Sequence, residues 1–134
     1  MKYLLDTSIY SQPLKKSPIP SVVEQWKAVG DLSCCISVFC EMEVLQGLEI
    51  SKSGKLYELY RISLKNRIPI LPFTTDEAMQ YAHTQADLVT AGRPRPVIDL
   101  CIAATAIVHN CILVTLNRKD FIDIPELQIE DWSK

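Results

Sequence analysis

Val97-Ile98-Asp99-Leu100-Cys101-Ile102-Ala103-Ala104-Thr105-Ala106-Ile107-Val108-His109-Asn110 leads straight into Cys111-Ile112-Leu113-Val114-Thr115. The first run is long enough for a helix and apolar on almost every side, so it belongs in an interior. The second is short and has no polar alternation, the pattern of a strand covered on both faces. A buried helix feeding a strand of this kind is the repeating unit of a parallel sheet with helices packed on it.

The rest of the chain extends that unit. Lys2-Tyr3-Leu4-Leu5 reads as a short strand ending at Asp6-Thr7-Ser8. Ser21 to Gly30 is amphipathic, with Val22, Val23 and Trp26 at helical spacing. Ser33-Cys34-Cys35-Ile36-Ser37 is a second apolar strand, in which Cys34 and Cys35 should face opposite ways. Helices follow over Phe39–Glu49 and Gly54–Asn66, the latter with an inner stripe of Leu56, Leu59, Tyr60 and Leu64. Ile68-Pro69-Ile70-Leu71-Pro72 reads as a third strand, placed at an edge by its prolines. Thr74-x-x-Glu77 has the form of a capping box opening a helix to Gly92, and Arg93-Pro94-Arg95-Pro96 is a stiff basic loop. Asn117-Arg118-Lys119-Asp120 reads as a polar turn, and Leu127 to Glu130 as a last strand. The expected fold is a single α/β domain over residues 1–134: helices on both faces of a mainly parallel sheet of four to five strands.

Length and composition agree. At 134 residues, 48% hydrophobic and 22% charged, the chain is neither disordered nor low in complexity. A domain this size buries about two-thirds of its extended surface, so it needs no disulfide or structural metal to fold. The five cysteines are odd in number and lack a Cys-x-x-Cys, as expected of reduced thiols packed in a core. Neither His83 nor His109 stands at zinc-ligand spacing from them. The longest charge-free apolar run, Leu100 to Val108, is about half the ~20 residues of a membrane span, and Asp6 interrupts any leader-like start. These features predict a cytoplasmic protein. Net charge is −2, from 16 acids against 14 Lys and Arg, so nucleic-acid binding is not evident from the total. With four acids neutralised by a metal, the balance becomes positive.

Parallel α/β sheets bind ligands beyond the carboxyl ends of their strands. Asp6 lies there, either as a helix cap or as a ligand. Asp99 opens an apolar helix and should be buried, where an unpaired carboxylate costs several kcal/mol unless paired, neutralised or metal-bound. The helix after the second strand carries Glu41, Glu43 and Glu49. Placing Val38, Met42 and Leu45 on its inner face leaves the choice among these acids open. Asp120 follows the fourth strand. Acids gathered from four segments repel one another unless a cation sits among them, and an all-oxygen donor set suits Mg²⁺ or Mn²⁺. Such a metal points to phosphoryl chemistry, for which Arg93, Arg95, Arg118 and Lys119 could position a phosphate backbone.

Four segments carry a resemblance. Leu4-Leu5-Asp6-Thr7-Ser8 resembles the opening of PIN-domain nucleases, specifically the VapC-type toxins of bacterial toxin–antitoxin pairs. Ser37 to Gly47 resembles their second motif, whose metal-site Glu precedes a Gly by four residues and so corresponds to Glu43. Pro96 to Ala106 resembles the third motif and Leu113 to Phe121 the fourth, with Ile129-Glu130-Asp131-Trp132 closing the chain in similar fashion. The resemblance implies a PIN-like three-layer α/β/α sandwich. It implies a metal site of Asp6, Glu43, Asp99 and Asp120, with Thr7, Thr115 and Asn117 in support. It also implies a Mg²⁺- or Mn²⁺-dependent endoribonuclease that forms a homodimer and is silenced by an antitoxin. Glu41 departs from the pattern, which has an apolar residue there, and Asn117 stands where some relatives have Asp. Two alternatives are a non-cleaving PIN fold that binds RNA or protein, and a phospho-acceptor signalling domain. The second lacks its acid pair after strand one and its Lys after the last strand.

Overall fold

Five short strands, β1 (Tyr3–Leu5), β2 (Cys34–Ser37), β3 (Ile70–Leu71), β4 (Ile112–Val114) and β5 (Ile129–Glu130), pair in the order β3-β2-β1-β4-β5 in the computed structural model, which describes residues 2–134. Every pairing is parallel, with Leu4 opposite Cys35 on one side and Leu113 on the other. The first strand of the chain is therefore the middle strand of the sheet. Parallel neighbours require a crossover, and helices supply it: α1 (Thr7–Tyr10), α2 (Pro20–Val29), α3 (Val38–Ser51), α4 (Gly54–Ser63), α5 (Thr75–Thr90), α6 (Val97–Val108) and α7 (Arg118–Phe121).

Strand alternation divides the interior in two. Leu5, Cys34, Ile36 and Val114 face a core completed by Ile9, Val22, Trp26, Cys40, Val44, Leu48 and Tyr60 from α1 to α4. Leu4, Cys35 and Leu113 face the other core, with Leu88, Leu100, Ile102, Ala103, Ala106 and Phe121 from α5 to α7. This is the expected three-layer sandwich, and Cys34 and Cys35 do point to opposite layers. None of the five cysteines is in a disulfide and all are buried. No helix among the described residues is long and apolar enough to cross a membrane.

Several expectations change in detail. α3 buries Cys40, Val44 and Leu48, while Met42 and Leu45 are exposed. Both stripes of this helix are apolar, so periodicity could not say which one faces the sheet. α4 stops at Ser63, short of Asn66, because Leu64 leaves helical geometry and Asn66 takes a left-handed backbone at φ 62°. Leu59 and Val23 prove exposed. β3 does lie at the edge, and α5 carries the capping box at Thr74 and Glu77. Glu77 is buried and also meets His109 Nε2 at 3.2 Å, which joins the start of α5 to the end of α6. Burial acts to raise the Glu77 pKa, but hydrogen bonds from Thr74, His109 and the backbone outweigh it and hold the carboxyl below its ordinary value.

Candidate active site

Because all five strands run the same way, their carboxyl ends share one edge, and helices that return from it or lead into it begin or end there. Asp6 follows β1 directly. Its Oδ1 accepts from Thr7 N at 2.8 Å and so caps α1. Its Oδ2 accepts from Thr115 Oγ1 at 2.7 Å and from Ser8 Oγ at 3.2 Å. Asp6 is thus both cap and candidate ligand, the two readings that position alone left open. The carboxylate is 6% exposed and Thr115 is fully buried. Thr115 Oγ1 in turn accepts from Asn117 N at 3.0 Å, and Ser8 Oγ from Leu116 N at 3.0 Å. A chain of hydroxyls therefore ties the ends of β1 and β4 around one carboxylate.

Glu43 lies in the second turn of α3, partly buried. Thr7 Oγ1 donates to its Oε1 at 2.5 Å, a short charge-assisted bond that fixes α3 against α1. Asp99, in the first turn of α6, is half-buried, more open than its apolar helix predicts. The first turn of α6 projects at the strand ends while the helix body is covered. Burial pushes the Asp99 carboxyl above its ordinary value, and the charges of Asp120, Asp6 and Glu43 push it further. Asp120, Asp6 and Glu43 therefore lie within electrostatic reach of Asp99, and no hydrogen-bond donor meets the Asp99 carboxylate among the described residues. Glu41 is not among the charges acting on Asp99; it acts instead on the phenols of Tyr10 and Tyr60, which burial and then neighbouring charges including Glu41 raise.

Asp120 sits in α7, where a polar turn was expected; Asn117 precedes this short helix and Phe121 anchors it in the core. Asn117 is exposed and joins the site through its backbone. Of the four basic candidates, Arg118 and Lys119 are exposed on α7, and Arg93 is exposed at 3.4 Å from Asp123. Arg95 differs. Its Nε donates to the Asp120 carbonyl at 3.2 Å, Nη2 to the Ile122 carbonyl at 2.6 Å and Nη1 to the Arg93 carbonyl at 2.9 Å. Gln85 holds the Arg95 backbone from both sides, at 2.9 and 3.2 Å. The guanidinium is thereby committed to the protein, as a clamp between the loop before α6 and the acid-bearing α7. Nothing in the spacing of the basic loop announces that role.

The donor set fits a hard divalent cation: carboxylate and hydroxyl oxygens, no thiolate or imidazole, and a carboxyl raised by burial and then by neighbouring carboxylates. Among the described residues, no three His, Cys, Asp or Glu side chains stand close enough to hold an ion by themselves.

Residues 3–127 match the PIN domain family. The chain is 31% identical over 133 residues to the tRNA(fMet)-specific endonuclease VapC of Shigella flexneri, covering 99% of each. Among solved structures, the VapBC2 complex of Rickettsia felis bound to a promoter DNA fragment contains a chain that matches with a TM-score of 0.84 at 30% identity, over 98% of this chain and 99% of that one. FitAcB from Neisseria gonorrhoeae matches with a TM-score of 0.88 at 26% identity, over 97% of each chain.

Proposed function

The chain belongs to the PIN-domain family, and from that premise we propose that it is a metal-dependent endoribonuclease, the toxin of a toxin–antitoxin pair. The observation that supports the reading is the half-buried Asp99 at the strand ends, raised first by burial and then by the charges of Asp120, Asp6 and Glu43. The endonuclease and ribonuclease names of its VapC relatives support the activity, and the VapBC complexes support an antitoxin partner. The substrate is RNA, held at its phosphates by Arg118, Lys119 and Arg93. Two copies form the working unit, in the cytoplasm.

Asp6, Glu43 and Asp99 would hold Mg²⁺ or Mn²⁺, with Asp120 completing the set or orienting the attacking water. When bound, such a metal lowers the pKa of its water and offsets charge building on the phosphate. Thr115 and Ser8 orient the Asp6 carboxylate, and Thr7 orients Glu43. Arg95 positions Asp120 through its backbone.

Purified chain, freed of any antitoxin, is incubated with total RNA and Mg²⁺, Mn²⁺ or EDTA, beside Asp6→Asn. Discrete products that need metal and are lost in the variant are the expected result. Undiminished cleavage by folded Asp6→Asn would sink the site assignment, and RNA binding without products would favour a non-cleaving PIN fold.

A further inference from the structure

We propose that the cavity beside Glu43, between α1, α3 and α4, is a nucleobase pocket that receives one unpaired base of the RNA next to the cleaved phosphate. The proposal rests on the ribonuclease reading above. The cavity holds about 240 Å³, below the roughly 300–1,000 Å³ of sites for larger ligands, and so takes one heteroaromatic ring system. It is continuous with the acidic site, because Thr7 and Glu43 form part of its wall. A base entering it is therefore carried by a backbone whose phosphate lies at the acids.

The lining matches a base better than a peptide side chain. Leu14, Val44, Leu48 and Leu56 give apolar walls for the ring faces. Ser11 and Lys15 bring a hydroxyl and an ammonium for the polar ring edge, and among the described residues no hydrogen bond or ion pair occupies either group. An aliphatic side chain would leave both without use. Gly47 lies in the same wall. It lies inside α3, where glycine weakens a helix, yet its backbone is ordinary and a Cβ built on it meets nothing within 4 Å. The fold does not require glycine there; the space in front of it is the cavity it lines.

Gly47→Leu fills that space from a helix position that accepts leucine, and Gly47→Ala controls for the helix. Methyl NMR spectra of the full chain are recorded with each of the four nucleosides, which carry no phosphate, and with N-acetyl-leucinamide. In parallel, single-stranded RNA of random sequence is cleaved with Mg²⁺, and a preferred site is remade with an abasic residue at each flanking position. We expect saturable shifts of Leu14, Val44, Leu48 and Leu56 with at least one nucleoside, absent in Gly47→Leu. One abasic position should slow wild-type cleavage on the order of ten-fold or more and leave Gly47→Leu unaffected. Shifts with N-acetyl-leucinamide alone would overturn the proposal in favour of a protein-docking groove. Active enzyme whose pocket methyls ignore every nucleoside would overturn it and leave the nuclease standing. Nucleoside binding by a chain that cuts no RNA would overturn the placement beside a cleaved phosphate together with the nuclease, leaving a base-binding fold.

Discussion

Thr115 has no charge and no exposed surface, yet it sets the geometry of Asp6 by donating to Oδ2 while accepting from Asn117 N. Thr115→Val keeps the shape and removes both bonds. A buried carboxylate that loses a donor costs about 1.5–3 kcal/mol, so chemical unfolding should show a loss near that size, with cleavage down roughly ten-fold. An unchanged midpoint would mean that Ser8 and Thr7 hold Asp6 unaided. Asp99 gives the opposite sign for stability. Its folded pKa is raised, first by burial and then by Asp120, Asp6 and Glu43, so the folded state binds the proton more tightly than the unfolded one. Stability from this group is highest at low pH and falls as pH rises from the ordinary value of 3.8 through the raised one. Asp99→Asn should therefore melt above wild type in EDTA at about pH 7, the gap closing by about pH 3. It should also lower cleavage on the order of 100-fold or more. Coincident melting curves at both pH values would show that the four carboxylates do not strain one another.

At the scale of elements, the site depends on how α7 is held. Arg95 ties the Arg93 carbonyl of its own loop to the Asp120 and Ile122 carbonyls of α7 and its C-cap in one fork, a geometry an ammonium cannot reproduce. Arg95→Lys keeps the charge and loses the fork. The expected result is about ten-fold slower cleavage with RNA affinity little changed, whereas a direct phosphate contact by Arg95 would appear mainly as weaker binding and a smaller salt dependence. This clamp was not legible in the sequence, where Arg93-Pro94-Arg95-Pro96 reads as a basic loop. Its partners are main-chain carbonyls, which leave no mark in side-chain patterns. α7 was missed for a similar reason: Asn117, Arg118, Lys119 and Asp120 are turn-like, and only burial of Phe121 makes the segment a helix. What could be read was whatever burial dictates, namely the continuous apolar strands, the covered α6 and the proline-marked edge. Asp6 and Asp99 were readable because they interrupt such segments at the strand ends. Glu43 was not distinguishable from Glu41 by periodicity, since α3 is apolar on two sides, and its selection needed the resemblance. The Thr7 bond to Glu43 supports that selection and arises from contact between α1 and α3, which no local pattern contains.

For the molecule as a whole, two cores on either face of one sheet leave every thiol covered. Reductant should not change the melting temperature, and a thiol reagent should label the native protein slowly and all five cysteines once it unfolds. Rapid native labelling of Cys111 would reveal local opening beside β4, where its hydrogen bond with Cys35 holds the buried thiol below its ordinary value. The central position of β1 has one more effect. Asp6 is made before its buried partner Thr115, which lies 109 positions later. The sheet cannot close around β1 until β4 exists, so a nascent chain carries Asp6 without its Thr115 donor until then. The proposed site thus cannot assemble before β4 and Thr115 have left the ribosome, and a nascent chain shorter than that carries no working site.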